Sequence, residues 1–178
     1  ITYLGGNGSH HYLALVTDTY SKKIVGYDVS SSLSAEGAVR ALRMGLRQRI
    51  YQNKELTHHS DLGLQYCCDD YQNILNRRGL KCSMTESYDP YTNATAERVN
   101  GILKQEFFLD KHNVKLSLMK QLVSSSIKIY NQQRPLVVLR KGSTSTPEQM
   151  HKQSKIKIRT YKKTNRSKAN LAAVNKTM

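Results

Sequence analysis

The chain has 178 residues, a formal net charge of +15 and 38% hydrophobic residues, enough for one ordinary domain with a core and a smaller appendage. No run has the apolar length of a membrane span, no secretory signal opens the sequence, and three cysteines with two adjacent (Cys67, Cys68) make no disulfide framework, so it reads as neither a spanning protein nor a stapled secreted domain and leans intracellular. Residues 121–178 carry 13 Lys or Arg against one acid, whereas residues 61–120 carry eight of each, a balanced body with a basic tail suited to a polyanionic partner.

The first 30 residues read as three strands in an antiparallel meander. Ile1–Leu4 reads as the end of a strand already under way, so the sequence is expected to be a fragment or an excised domain. GGNG turns the chain into His11–Thr17, and Thr19–Lys23 turns it again into Ile24–Ser30. Ser34 is placed to cap a helix over Ala35–Tyr51, with Ala38, Val39, Leu42 and Leu46 on its core face and Arg40, Arg43 and Arg47 away from it. Leu56–Ser60 is a short strand. Asp69 is placed to cap a helix that stops at Gly79, and Leu80–Met84 is a fifth strand.

A loop holding Asp89 and Pro90 leads to a helix over about Thr95–Asp110, with Ala96, Val99, Leu103 and Phe107 on one stripe. Another helix spans Leu116–Tyr130 and is broken at Arg134–Pro135. Thr146–Pro147–Glu148 starts a last short helix with proline at its first position. Beyond His151 come nine Lys or Arg and no acid, the composition of a loosely ordered tail or an extension strand. The order predicts an α/β fold, a mixed five-stranded sheet flanked by helices, over residues 1–150, with a basic extension over 151–178.

Asp61 closes the fourth strand in "HHSDLGLQY", and Glu97 lies on the helix after the fifth. Functional groups of α/β sheets collect beyond the carboxyl ends of their strands. Two carboxylates converging there repel unless a cation lies between them, and Mg²⁺ takes such hard oxygen ligands while leaving positions for phosphate and water. Two such ions about 3.5–4 Å apart serve both the attacking and the leaving oxygen at phosphorus.

The segments "HHSDLGLQY", "SMTESYDPYTNATAERVNGILKQEF", "DTYSKKIVGYDVS" and "YNQQRP…TPEQM" occur in an order and spacing that resemble the insertion-sequence transposases of the retroviral-integrase superfamily, the DDE transposases. Asp61 and Glu97 are separated by 35 residues, the interval of that family. The resemblance covers residues 1 to about 150. It implies a ribonuclease H-like fold and a polynucleotidyl transferase that cleaves transposon-end DNA and joins it to target DNA. Asp61 and Glu97 would be catalytic ligands of two Mg²⁺ or Mn²⁺ ions. The resemblance makes Lys104, two turns after Glu97, a contact to the transposon-end phosphate. Asn93, Arg98 and Asn100 flank Glu97: Asn93 is placed to cap the helix, Arg98 and Asn100 point away from Glu97 by helical geometry, and all three are candidate DNA contacts.

The resemblance further implies a homo-oligomer on DNA, an upstream helix-turn-helix region outside this chain, and a bacterial cytoplasmic, nucleoid-associated setting. The family's first aspartate falls immediately ahead of Ile1, so the chain as given is expected to be inactive or nearly so. Asp18 reads as a turn aspartate rather than its substitute. Leu136 stands where family members usually carry histidine after "RP". The alternatives are a DNA-binding remnant without activity and a ribonuclease H-like nuclease. Zinc is disfavoured because no C-x₂-C occurs and the His–Cys spacings close no site. No G-x-S-x-G elbow suggests a serine hydrolase.

Overall fold

A computed structural model describes residues 1–6, 10–50, 54–85, 93–137 and 144–153. The elements run β1 (Thr2–Leu4), β2 (His11–Thr17), β3 (Ile24–Ser30), α1 (Ala35–Arg47), β4 (Thr57–Ser60), α2 (Leu64–Cys67), α3 (Asp69–Arg77), β5 (Lys81–Met84), α4 (Ala94–Gln105), α5 (Leu116–Gln132), β6 (Leu136–Val137), β7 (Thr144–Ser145) and α6 (Pro147–Gln153). The loop with Asp89 and Pro90, the helix end expected at Tyr51 and the tail beyond Gln153 lie outside the described residues.

β1, β2 and β3 form the expected antiparallel meander, with Thr2 opposite Leu13 and Tyr12 opposite Ser30. The hairpins enforce antiparallel pairing because their connections are short. β4 and β5 pair in parallel, Thr57 opposite Lys81 and Ser60 opposite Met84, with α2 and α3 as the crossover. The five strands expected in one sheet are thus hydrogen-bonded as three and two. The described part of β1 reaches only the first half of β2, and among the described residues no ladder joins it to β4. β6 and β7 add a small antiparallel pair that sequence reading did not predict, two residues per strand being too few to show a period.

The alternation of β2 sorts the core into two layers. Leu13 packs with Val99, Ile102 and Leu103 of α4 and with Met119, Val123 and Ile127 of α5. On the other side lie Ala38, Val39 and Leu42 of α1, Tyr71 and Leu75 of α3, and Ile1. α1 lies close on β3: a Cβ on Gly26 would stand 2.0 Å from the Ala41 carbonyl oxygen and 2.7 Å from the Gly45 nitrogen.

Three sequence expectations shift. α4 stops at Gln105, and its buried stripe is Val99, Ile102 and Leu103 while Ala96 is exposed. α3 begins with Asp69 as its first helical residue and Cys68 at the cap position, so Asp69 and Asp70 serve the positive end of the helix dipole instead of capping. α1 ends at Arg47, its last carbonyls taken by the Gln48 N–H. Among the described residues no helix is long and apolar enough to cross a membrane.

Candidate active site

Asp61 follows the last residue of β4, where the parallel ladder ends with the Thr85 N–H donating to the Ser60 carbonyl at 3.1 Å. The carboxylate is exposed. Its Oδ1 accepts the Gly63 N–H at 2.9 Å, a local turn that aims the group and leaves Oδ2 outside this bond. A Cβ on Gly63 would itself stand 2.9 Å from that Oδ1, so a side chain there would push the carboxylate out of this position.

Beneath this strand end lies an aromatic cluster that sequence reasoning missed. Tyr66 meets Tyr71 edge-on with ring centroids 5.4 Å apart, and the Tyr71 hydroxyl lies 3.0 Å from His58 Nε2. Burial, with the Asp61 charge adding to it, pushes the Tyr66 phenol up to about 12. The Ile1 amine donates to the Tyr66 hydroxyl at 3.0 Å. The start of β1 therefore stands beside the end of β4. The available signal was a tyrosine five residues after Asp61, one turn into the segment behind the Gly63 turn.

Burial, and secondarily His59, pushes the His58 imidazole down to about 4, so it is neutral at pH 7 and its Nε2 suits the Tyr71 hydroxyl as acceptor. The folded pKa lies below the ordinary value of about 6.5, so the unfolded chain takes up the extra proton between the two. Stability is fully present above about pH 6.5 and is lost as pH falls toward 4, by about 3 kcal/mol. Urea midpoints measured across this window should show the loss in the wild type and a clearly shallower one in His58→Gln.

Glu97 stands in the first turn of α4, exposed, with its N–H donating to the Asn93 carbonyl at 3.0 Å. Asn93 holds the cap position, but its side chain makes no capping bond, which corrects the expected side-chain cap. Lys22 Nζ donates to Thr95 Oγ1 at 3.1 Å, tying the β2–β3 turn to the start of α4. Arg98 is exposed, Lys104 is half-buried in the last turn, and the half-buried Asn100 has a buried amide oxygen without a hydrogen-bond partner.

Asp18 is fixed in the β2–β3 turn. Its Oδ2 accepts the Ser21 N–H at 3.0 Å and the Ser21 hydroxyl, and lies 3.4 Å from His151 Nδ1. Burial would raise its pKa, but the Ser21 donors and His151 outweigh that and hold it below the usual carboxylate range. Close by, Lys23 Nζ and Glu148 meet at 2.7 Å, so α6 is clamped onto this turn.

The hard oxygens of Asp61 and Glu97 suit Mg²⁺ or Mn²⁺, and the one-sided hydrogen bonding of Asp61 leaves an oxygen for such an ion. Among the described residues no group of three His, Cys, Asp or Glu could hold a metal ion.

The integrase core domain profile matches residues 1–90, and a second integrase core domain profile matches residues 78–138. The chain is similar to the transposase InsF for insertion sequence IS3A of Escherichia coli (strain K12), 35% identical over 135 residues that cover 75% of this chain and 46% of that protein. It spans about half the length of the curated relatives it matches. Its fold is similar to the simian T-cell lymphotropic virus intasome chain, with TM-score 0.67, 20% identity and coverage of 84% of this chain and 51% of the other. It is also similar to the HTLV-2 integrase catalytic core domain in complex with magnesium, with TM-score 0.63, 18% identity and coverage of 84% and 90%. This likeness shows a ribonuclease H-like fold. With half of its length under one profile and the adjoining stretch under another, the chain belongs to the integrase core domain family.

Proposed function

We propose that the chain is the catalytic core of a bacterial DNA transposase that cuts insertion-sequence ends and joins them to target DNA. The observation that carries this reading is Asp61, an exposed carboxylate beyond a parallel strand end, aimed by Gly63 and close to the start of β1, in a chain of the integrase core domain family. Asp61, Glu97 and a third carboxylate ahead of Ile1 would hold Mg²⁺ or Mn²⁺. Such ions, when bound, neutralise charge on the phosphate and favour in-line attack by an oxygen nucleophile.

The protein's own part is positioning and binding. The Gly63 N–H fixes the Asp61 carboxylate. Packing of Val99, Ile102 and Leu103 holds the helix that presents Glu97. Arg98, Lys104, Asn93 and Asn100, along the same helix, contact the DNA backbone. Protomers act together on DNA, an upstream DNA-binding region supplies end recognition, and the protein works in the bacterial cytoplasm on the nucleoid.

The test is strand transfer by the polypeptide extended to the length of its relatives, with Mn²⁺ and a duplex carrying the terminal sequences of its own element. Joined product should form with the extended polypeptide and not with the 178-residue chain. A folded, Mn²⁺-binding, DNA-binding extended protein that joins nothing would leave a binding remnant; hydrolysis without joining would point to a nuclease.

The basic tail adds a separable, sequence-independent contribution. Removing residues 152–178 takes away nine Lys or Arg and no acid. The slope of log affinity against log salt should fall by several units, about 0.9 per lost phosphate contact. An unchanged slope in a fluorescence-anisotropy titration would make the tail a bystander.

A further inference from the structure

Two helices brace the β2–β3 turn. Its backbone closes on itself, the Lys22 N–H donating to the Asp18 carbonyl and the Asp18 N–H to the Lys23 carbonyl, both at 2.8 Å. From α5, the Tyr130 hydroxyl donates to the Lys22 carbonyl at 2.8 Å, and the Asn131 amide accepts the Ile24 N–H at 3.0 Å and donates to the Ile24 carbonyl at 2.9 Å. From α6, Glu148 meets Lys23 and His151 meets Asp18. On this base Lys22 takes a left-handed conformation, with φ of 61°, which a residue with a Cβ adopts only at a cost. Its ammonium donates to Thr95 Oγ1 in the first turn of α4.

That contact runs against the local energetics. The start of a helix is the positive end of its dipole and disfavours a cation. Burial also works against the charged ammonium and lowers its pKa, with the Asp18 carboxylate opposing the shift. A lysine kept only for solubility would avoid the strained backbone, the dipole and the desolvation, and strain of this kind gathers at functional sites. α4, for its part, begins without a side-chain cap, and an uncapped first turn is the part of a helix that opens most readily. The same turn carries Glu97. Thr95 and Glu97 are two residues apart, about 200° around the helix, so Lys22 holds the half-buried back of the turn while Glu97 faces solvent on the other side.

We propose that Lys22 is a positioning residue for the Glu97 carboxylate. Anchored by α5 and α6, it holds the first turn of α4 through Thr95 and so fixes where Glu97 stands. The consequence for DNA joining rests on the transposase reading; the hold on the helix stands on the geometry alone. Because Lys22 grips the turn from behind, its loss should lower the rate of reaction and leave DNA binding as it was.

Amide exchange on the 178-residue chain tests the hold. Lys22→Met keeps the length of the side chain and removes the ammonium. It should speed exchange at the Glu97, Arg98 and Val99 N–H groups by about tenfold or more and leave Leu103, later in the same helix, within about twofold. Thr95→Val removes the other end of the bond and should do the same, and the double variant should exceed either single one by no more than about twofold. Unchanged exchange, or fully additive effects in the double variant, overturns the proposal. In the polypeptide extended to the length of its relatives, Lys22→Met should slow joining at saturating DNA by about tenfold to a hundredfold with the Kd for DNA unchanged. Lys22→Arg, which restores a charged donor, should recover at least about a third of the wild-type rate. A full rate in Lys22→Met, a loss that follows DNA affinity, or an arginine variant no better than the methionine one overturns the positioning role. A wild-type extended polypeptide that joins nothing, with the exchange pattern as expected, sinks the transposase reading instead and keeps Lys22 as the residue that holds α4.

Discussion

Under the proposed transposase reading, Glu97→Gln in the polypeptide extended to the length of its relatives should lower DNA joining by about a thousandfold or more, because an amide cannot supply the charge that would hold a divalent ion against phosphate, and each tenfold is about 1.4 kcal/mol of transition-state stabilisation. Asp61→Asn should do the same. The fold should survive both changes. Each side chain is exposed, and Glu97 leaves behind only its small favourable interaction with the N-terminal end of α4, about 0.3–1 kcal/mol. Tm should therefore move by no more than about 3 °C, and DNA affinity should be kept. Joining assays with matched thermal melts decide the matter. A Glu97→Gln enzyme that retains a tenth of its activity while Asp61→Asn is dead would remove Glu97 from the ligand set.

The largest effect on stability should come from a single methyl group. In Gly26→Ala the new Cβ would fall 2.0 Å from the Ala41 carbonyl oxygen and 2.7 Å from the Gly45 nitrogen. Both are backbone atoms of α1, so no rotamer change relieves the clash and the whole helix has to move off β3. That opens the layer of Ala38, Val39 and Leu42 against the sheet. Overpacking of this kind costs about 3 kcal/mol or more, a large share of a stability of about 5–15 kcal/mol, and Tm should drop by about 10 °C.

Gly101→Ala is the control. It lies inside α4 with no heavy atom within 4 Å of the added Cβ, so the better helix propensity of alanine should raise stability by about 0.5–1 kcal/mol. If Gly26→Ala melted within about 2 °C of the wild type, the close approach of α1 to β3 would be wrong.

Local chemistry made much of the fold legible. The hairpins at the start announce themselves by turn residues between alternating runs, and α1, α4 and α5 by apolar residues at helical spacing. Each of these signals lies within a few residues of chain. Pro147 at the first position of α6 is of the same kind. The placement of Asp61 at a strand end could be read because "HHSD" is a short run closed by a turn residue and a glycine two positions later. The turn role of Asp18 was read the same way, and Ser21 bears it out.

Other features depend on residues far apart in sequence. Nothing near Tyr66 or His58 says that their rings meet Tyr71 beneath the strand end, since the contacts exist only once α2 and α3 fold back under β4. The end of the α4 stripe could not be read either: Ala96 and Phe107 fit the helical period, but the helix stops at Gln105 because Phe108 takes a left-handed conformation, with φ of 55°. α6 docks on the β2–β3 turn through Lys23–Glu148 and His151–Asp18, pairs more than 120 residues apart.

The sequence by itself determined the order and kind of the principal elements, the basic end and the carboxylates open to solvent, because period, turn chemistry and charge act over short stretches. Only the tertiary structure decided that, among the described residues, the principal ladders divide into three strands and two, with a cavity lined by residues of β2 and β4. Ladder pairing is a contact between distant segments, and a strand edge is satisfied or left open according to which neighbour the whole fold brings beside it.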